Sequence, residues 1–165
     1  MRRRITMAAG VALTVLTALV LAACGSSSTT GTQSFSGSTS DLNANSLPLK
    51  VSGVVNTTGS LVLNNSSATK GTIKTNSGDV YVTHNNPNTA PSVNSSACTA
   101  TQVTKGTYKV TGGTGSFNGA TGSGNYTIVF NGKFALTSGK CVITQNSNPV
   151  SGTESFKASG PLTVS

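Results

Sequence analysis

Three thiols and a handful of ionisable side chains carry whatever chemistry this chain can perform. Cys24 stands directly behind Leu21-Ala22-Ala23, after a basic start (Arg2, Arg3, Arg4) and an apolar run from Ile5 to Ala23. That layout reads as a secretory signal ending at a cut site, where small residues suit a peptidase. The apolar stretch from Ala8 to Ala23 is diluted by Gly10, Thr14 and Thr17. It is short for a spanning helix, which wants about 20 mostly apolar residues. Beyond Cys24 two cysteines remain, Cys98 and Cys141, 43 positions apart. A lone pair in an exported domain suggests a disulfide, with two free thiols or a metal pair as the alternatives. The metal reading lacks ligands, because His84 is the only histidine and no Cys-x-x-Cys occurs.

Acid/base chemistry has few candidates. Past the signal the carboxylates are Asp41, Asp79 and Glu154. Asp79 and His84 differ by an odd number, so on one strand they point to opposite faces. His84 is therefore expected as a polar strand-end residue before Asn85-Asn86-Pro87-Asn88, and Glu154 as an exposed charge. No catalytic residue, metal site or cofactor is assigned.

The run Leu21-Ala22-Ala23-Cys24 resembles the lipobox of bacterial lipoprotein precursors. The resemblance implies that Cys24 takes a diacylglyceryl group, that residues 1–23 are removed as a signal peptide, and that the protein is held at the extracytoplasmic face of the cell membrane. One acyl chain binds a bilayer marginally, whereas two hold stably.

The formal net charge is +8, but three of the positive charges leave with the signal. What stays is Lys50, Lys70, Lys74, Lys105, Lys109, Lys133, Lys140 and Lys157, with no arginine. Arginine is the preferred bidentate reader of phosphate and guanine. The lysines are scattered, and the aromatics do not interleave with them as a stacking surface would. Nucleic acid is excluded as a partner. Attraction to anionic envelope polymers or headgroups remains physically reasonable for a positive protein beside a negative surface.

Residues 24–46 are of low complexity. Twelve are Ser or Thr, and only Phe35, Leu42 and Ala44 are apolar. Such a segment buries too little to offset its ordering entropy. It is expected as a disordered tether with a reach of roughly 25 Å by random-coil scaling. From Leu47 onward, short runs of Val, Thr, Tyr and Phe are broken by Gly, Asn and Ser, the pattern of many short strands. Strands are expected over 49–55, 60–63, 71–75, 79–84, 97–105, 106–111, 125–130, 133–137, 140–144, 154–158 and 162–164.

Two tight turns organise residues 125–144. Asn131-Gly132 is a type I′ hairpin signal, and Ser138-Gly139 suits the next turn. The resulting meander sets Val129 against Phe134 and Leu136 against Cys141, placing Cys141 in an apolar layer. The opposite face carries Tyr126, Ile128 and Phe130, and is apolar enough to be covered or to line a cavity.

Residues 112–120 read Gly112-Gly113-Thr114-Gly115-Ser116-Phe117-Asn118-Gly119-Ala120. The glycines permit backbone angles closed to other residues, so Gly112, Gly113 and Gly115 are expected to form a structural turn. Phe117 is expected to plug one end of the domain. Gly119, Gly122 and Gly124 allow a bulge or a strand bend. This segment resembles part of the allene oxide cyclase-like and dirigent-like β-barrels, where a strand ends in a Gly-Gly-Thr-Gly turn followed by phenylalanine. The resemblance spans residues 106–130 and implies a barrel. No catalytic residue of those families matches a position here.

The expected architecture is all-β: one small antiparallel barrel over 47–165, with a β-sandwich as the alternative. The expected role is a membrane-anchored, extracytoplasmic binding or structural module of the cell envelope. The alternative is a small barrel enzyme or carrier acting on an apolar small molecule. A buried cluster of ionisable groups in a pocket would separate the two.

Overall fold

The computed structural model describes residues 27–63, 69–144 and 147–165. The expected signal peptide over 1–23 and the expected lipidation site at Cys24 lie outside the described residues. The elements are β1 (Thr29–Thr39), β2 (Ser46–Gly53), β3 (Thr57–Leu63), β4 (Lys70–Thr75), β5 (Gly78–His84), β6 (Ser92–Asn94), β7 (Thr99–Gly113), a 3₁₀ turn (Gly115–Phe117), β8 (Thr121–Lys133), β9 (Leu136–Thr137), β10 (Lys140–Cys141) and β11 (Ser151–Val164).

Eight of these strands close into an antiparallel barrel in the order β1-β2-β3-β4-β5-β7-β8-β11, with β11 returning to β1. Apart from the β11–β1 closure, the ring follows the chain, so every ladder joins consecutive barrel strands. Closure leaves the eight strands no free edge. Eight strands also make an interior just wide enough for side chains to fill. The filling comes from alternate residues: Phe35 on β1, Leu47, Leu49 and Val51 on β2, Ile73 on β4, Val80 and Val82 on β5, Tyr108 and Val110 on β7, and Phe156, Ala158 and Leu162 on β11 are all buried. Between them, outward, stand Ser, Thr and Lys.

The expected tether is corrected first. Residues 29–39 are not a disordered linker but a barrel strand, paired over eleven residues with β11 and also with β2. The domain therefore begins at Thr29 rather than Leu47. Mean composition misleads here because a barrel strand needs only one buried face, and the other is free to be Ser and Thr. Gln33 and Phe35 supply that face and are almost wholly buried. The ladder itself is made by the backbone whatever the side chains.

Asn131-Gly132 is the second correction. No turn forms there, because β8 runs through it to Lys133, paired with β7 on one side and β11 on the other. Two ladders outweigh one local turn preference, and the Val129–Phe134 pairing expected from that turn does not exist. Ser138-Gly139 does turn, with positive φ of 52° and 74°, and sets Leu136 opposite Cys141.

Two pairs of expected strands are single strands. The 97–105 and 106–111 segments merge into β7. The 154–158 and 162–164 segments merge into β11, where Pro161 lacks an N–H and the ladder to β8 skips a step without changing register. The bulge falls at Thr111-Gly112 opposite Tyr81 and Val82, not at Gly119, Gly122 or Gly124. Gly124 instead lies beneath a ring. Tyr108 is its cross-strand partner on β7, and Tyr126 is the partner of Gly106. Each glycine makes room for the other strand's tyrosine: a Cβ on Gly106 would stand 2.5 Å from the Tyr126 ring, and one on Gly124 would stand 2.7 Å from the Tyr108 ring.

Beyond the barrel, β7, β8 and β11 run on. Cys98, Ala100 and Phe134 form a second small apolar cluster there, with Phe130, Cys141 and Ile143 against it. Cys98 and Cys141 stand at disulfide separation, with Cα atoms 5.2 Å apart, inside the window a bridge requires.

Candidate functional site: the plugged end and the apolar cavity

The glycine segment closes one end of the barrel. After the bulge, Gly112 takes φ 149° and Gly115 takes φ 56°, regions that glycine enters freely. The 3₁₀ turn is stitched to the β4–β5 turn: Ser116 N–H donates to the Ser77 carbonyl at 2.8 Å, and Thr114 N–H to that of Asp79 at 2.9 Å. The Thr114 hydroxyl accepts from Asp79 N–H at 2.9 Å. Gly113 has no space for a side chain, since a Cβ would meet the Asp79 and Phe117 carbonyl oxygens at 2.5 and 2.6 Å. The loop drives Phe117 inward to full burial in the core cluster that also holds Val80, Val110, Ala120 and Leu162.

Gln33 serves the same end. It is the one polar side chain among the described residues that is fully buried. Its amide donates to the Ser52 carbonyl at 2.8 Å and the Val55 carbonyl at 3.0 Å, and its oxygen accepts from Val55 N–H at 2.9 Å. One side chain thus satisfies the backbone of the β2–β3 loop. No polar signal marks it in the sequence. Its register two residues before Phe35 is the only clue.

Toward the other end the packing opens. A cavity of about 50 Å³ is walled by Phe35, Leu61, Ile73, Val82, Tyr108, Tyr126, Ile128 and Phe156, and its surface is carbon throughout. Of the face expected to be covered or to line a cavity, Tyr126 and Ile128 line it, whereas Phe130 packs against the second cluster of Cys98, Ala100 and Phe134. Aromatic pairs set its shape: Phe35 meets Tyr108 edge-on with centroids 6.5 Å apart, and Tyr126 stacks on Phe156 at 6.4 Å.

His84 sits at the cavity rim, half-buried, with its ring edge-on to Tyr126. Both side chains converge on the Asn85 carbonyl, Tyr126 Oη at 2.6 Å and His84 Nδ1 at 3.0 Å. A carbonyl only accepts, so this contact puts a proton on Nδ1. The Asn85 side chain accepts from Thr107 N–H at 2.7 Å, which fixes the corner. Burial raises the pKa of both Tyr108 and Tyr126 by desolvating their phenolates, so both rings are neutral at ordinary pH. Asp79 is elsewhere, near the plugged end, as its hydrogen bond to the plug shows. It and His84 do not form a pair.

Above the cavity lies a vestibule of about 190 Å³, which shares Leu61, Ile128 and Phe156 with it and adds Thr39, Asp41, Asn45 and Glu154. Glu154 is therefore not the free surface charge expected from sequence; it is half-buried in this wall. Among the described residues no three of His, Cys, Asp and Glu gather closely enough to hold a metal.

The outer wall is different in kind. One row across the sheet, fixed by register, reads Lys105, Thr127, Lys157, Ser36, Lys50 on strands β7, β8, β11, β1 and β2. Lysine recurs on alternate strands, roughly 9.6 Å apart at ordinary strand spacing. No protein-family model, curated protein or solved structure matches this chain.

Proposed function

We propose that this chain is a lipid-anchored, extracytoplasmic binding protein of the cell envelope whose barrel holds a small apolar molecule. The observation that carries the binding reading is the carbon-walled cavity beneath a mainly apolar vestibule that carries Asp41, Asn45 and Glu154. Ligand sites are concave and mostly apolar, with a few polar groups for orientation. Among the described residues the interior brings together no cluster of ionisable groups of the kind an acid/base enzyme uses.

The anchor reading rests on Leu21-Ala22-Ala23-Cys24 behind three arginines. The paired cysteines support an exported address, because disulfides persist in oxidising compartments. The lysine-bearing outer wall favours a negative surface nearby, whether headgroups or anionic envelope polymers. The closed eight-strand ring and the Gly-Gly-Thr-Gly turn that plugs it with phenylalanine support the likeness to cyclase-like and dirigent-like barrels, at the level of architecture.

The test is ligand-linked stability. Benzene and indole, added to the purified protein, should raise its melting temperature in proportion to RT ln(1 + [L]/Kd). Substituting Ile128→Phe, to fill the cavity, should abolish that rise while leaving the fold intact. No rise with either probe would reject the reading.

One observation favours an enzyme instead. The His84 ring stands at the cavity rim with Nδ1 held by the Asn85 carbonyl, which leaves its other nitrogen for a substrate. A His84→Gln variant that still binds the probes, but loses turnover of an apolar substrate, would move the assignment from binder to enzyme.

A further inference from the structure

The chain between the anchor and the barrel is far shorter than its composition suggests. Cys24 and Thr29 are five residue steps apart, and an extended chain covers at most about 17 Å in that distance. Thr29 sits at the plugged end: it pairs with Val164, and Thr163 pairs with Thr121, just past the plug. Thr39, at the far end of the same strand, pairs with Glu154 of the vestibule. β1 holds 11 residues, and at the ordinary strand rise and barrel tilt it climbs about 26 Å along the axis. The leash is shorter than the barrel. An inverted posture, with the mouth on the bilayer and Thr29 uppermost, cannot be reached from a lipid on Cys24.

We infer that the barrel stands with its plugged end toward the bilayer that holds the anchor and its mouth turned away, so that the cavity loads from the aqueous side rather than from the lipid. The inference rests on the anchor proposed above. The length of the leash carries it by itself, because charge marks neither end: Lys70 and Lys133 stand toward the mouth with Asp41 and Glu154, and Lys74 stands with Asp79 beside the plug. The competing posture lays the barrel on its lysine row, with the mouth sideways and at headgroup level.

The experiment uses the full-length lipidated protein, reconstituted into vesicles of neutral and anionic phospholipid with a headgroup-attached quencher. One variant, Asn118→Cys, carries a thiol fluorophore at the plugged end, and another, Asn43→Cys, carries it at the mouth; both positions are exposed. The expected result is strong quenching at position 118 and little at 43, unchanged when anionic lipid replaces neutral lipid. Equal quenching at both positions, increasing with anionic lipid, would overturn the inference in favour of the side-on posture. Quenching at neither position, with the protein still floating with the vesicles, would also overturn it while leaving the anchor in place. Protein that fails to float, with an intact mass showing no acyl groups on Cys24, would remove the anchor and the inference together.

Discussion

The two ends of the barrel are built on opposite principles. The plugged end is closed by packing and hydrogen bonds: Phe117 fills the axis, Gln33 holds the β2–β3 loop through three bonds, and the 3₁₀ turn is tied to the neighbouring hairpin. At the mouth end aromatic side chains line space instead of filling it, and a lone histidine stands at the rim. The mouth side also carries the exposed apolar residues Leu136, Val142 and Val150, each more than half accessible. The difference shows where a small barrel places its stability and where it leaves room for a ligand. Close packing at one end frees the other from having to be close-packed.

Unequal responses to mutation would sharpen that contrast, and equal responses would break it. The largest effect is expected from Phe117→Ala, about 3–5 kcal/mol by the cavity left behind. Ile128→Ala, beside existing space, should cost near the lower limit of about 2 kcal/mol for such a truncation. Denaturant melts of the two variants check this, and equal losses would mean the ends are equally packed. Next, replacing Cys98 and Cys141 together with Ser should cost up to about 4 kcal/mol on the loop-entropy account. Hydrogen exchange should then quicken first around β9 and β10, not around the plug. Gln33→Leu should cost about 1–3 kcal/mol, because it strands the Val55 N–H and two carbonyls in a dry site, again read from denaturant melts.

The smallest effect is a pH dependence at the mouth. Tyr108 and Tyr126 have pKa values raised by burial. Their contribution to stability is therefore fully present below the unfolded phenol value of about 10 and is lost as pH rises through the folded values. Thermal melts across pH 9–12, compared with those of Tyr126→Phe, check the sign. The variant should lose less stability at the alkaline end, after giving up about 1 kcal/mol at neutral pH with the bond to Asn85.

Much of the fold was legible where chemistry is local. Alternation over 71–75 and 79–84, the Ser138-Gly139 turn, and a glycine segment that drives Phe117 inward all follow from residues close in sequence. What stayed hidden depends on distant partners. Thr29–Thr39 reads as a linker because its stability comes from β2 and β11, and β11 lies more than a hundred residues away. Asn131-Gly132 reads as a turn because nothing local reveals the ladders on both sides. The cavity was legible only as an apolar face on 126–130. Its other walls come from β1, β3, β4, β5, β7 and β11, which only barrel closure assembles. The vestibule carboxylates Asp41 and Glu154 are separated by most of the domain, and no spacing rule connects them.

The most direct test of the contrast between the ends is xenon binding followed by methyl-resolved NMR. Xenon enters dry apolar cavities and needs no polar partner. The account predicts saturable shifts at the methyls of Leu61, Ile73, Val82 and Ile128, with Val80, Val110 and Leu162 at the plugged end unmoved. Shifts spread evenly over both groups, or confined to the plugged end, would contradict it.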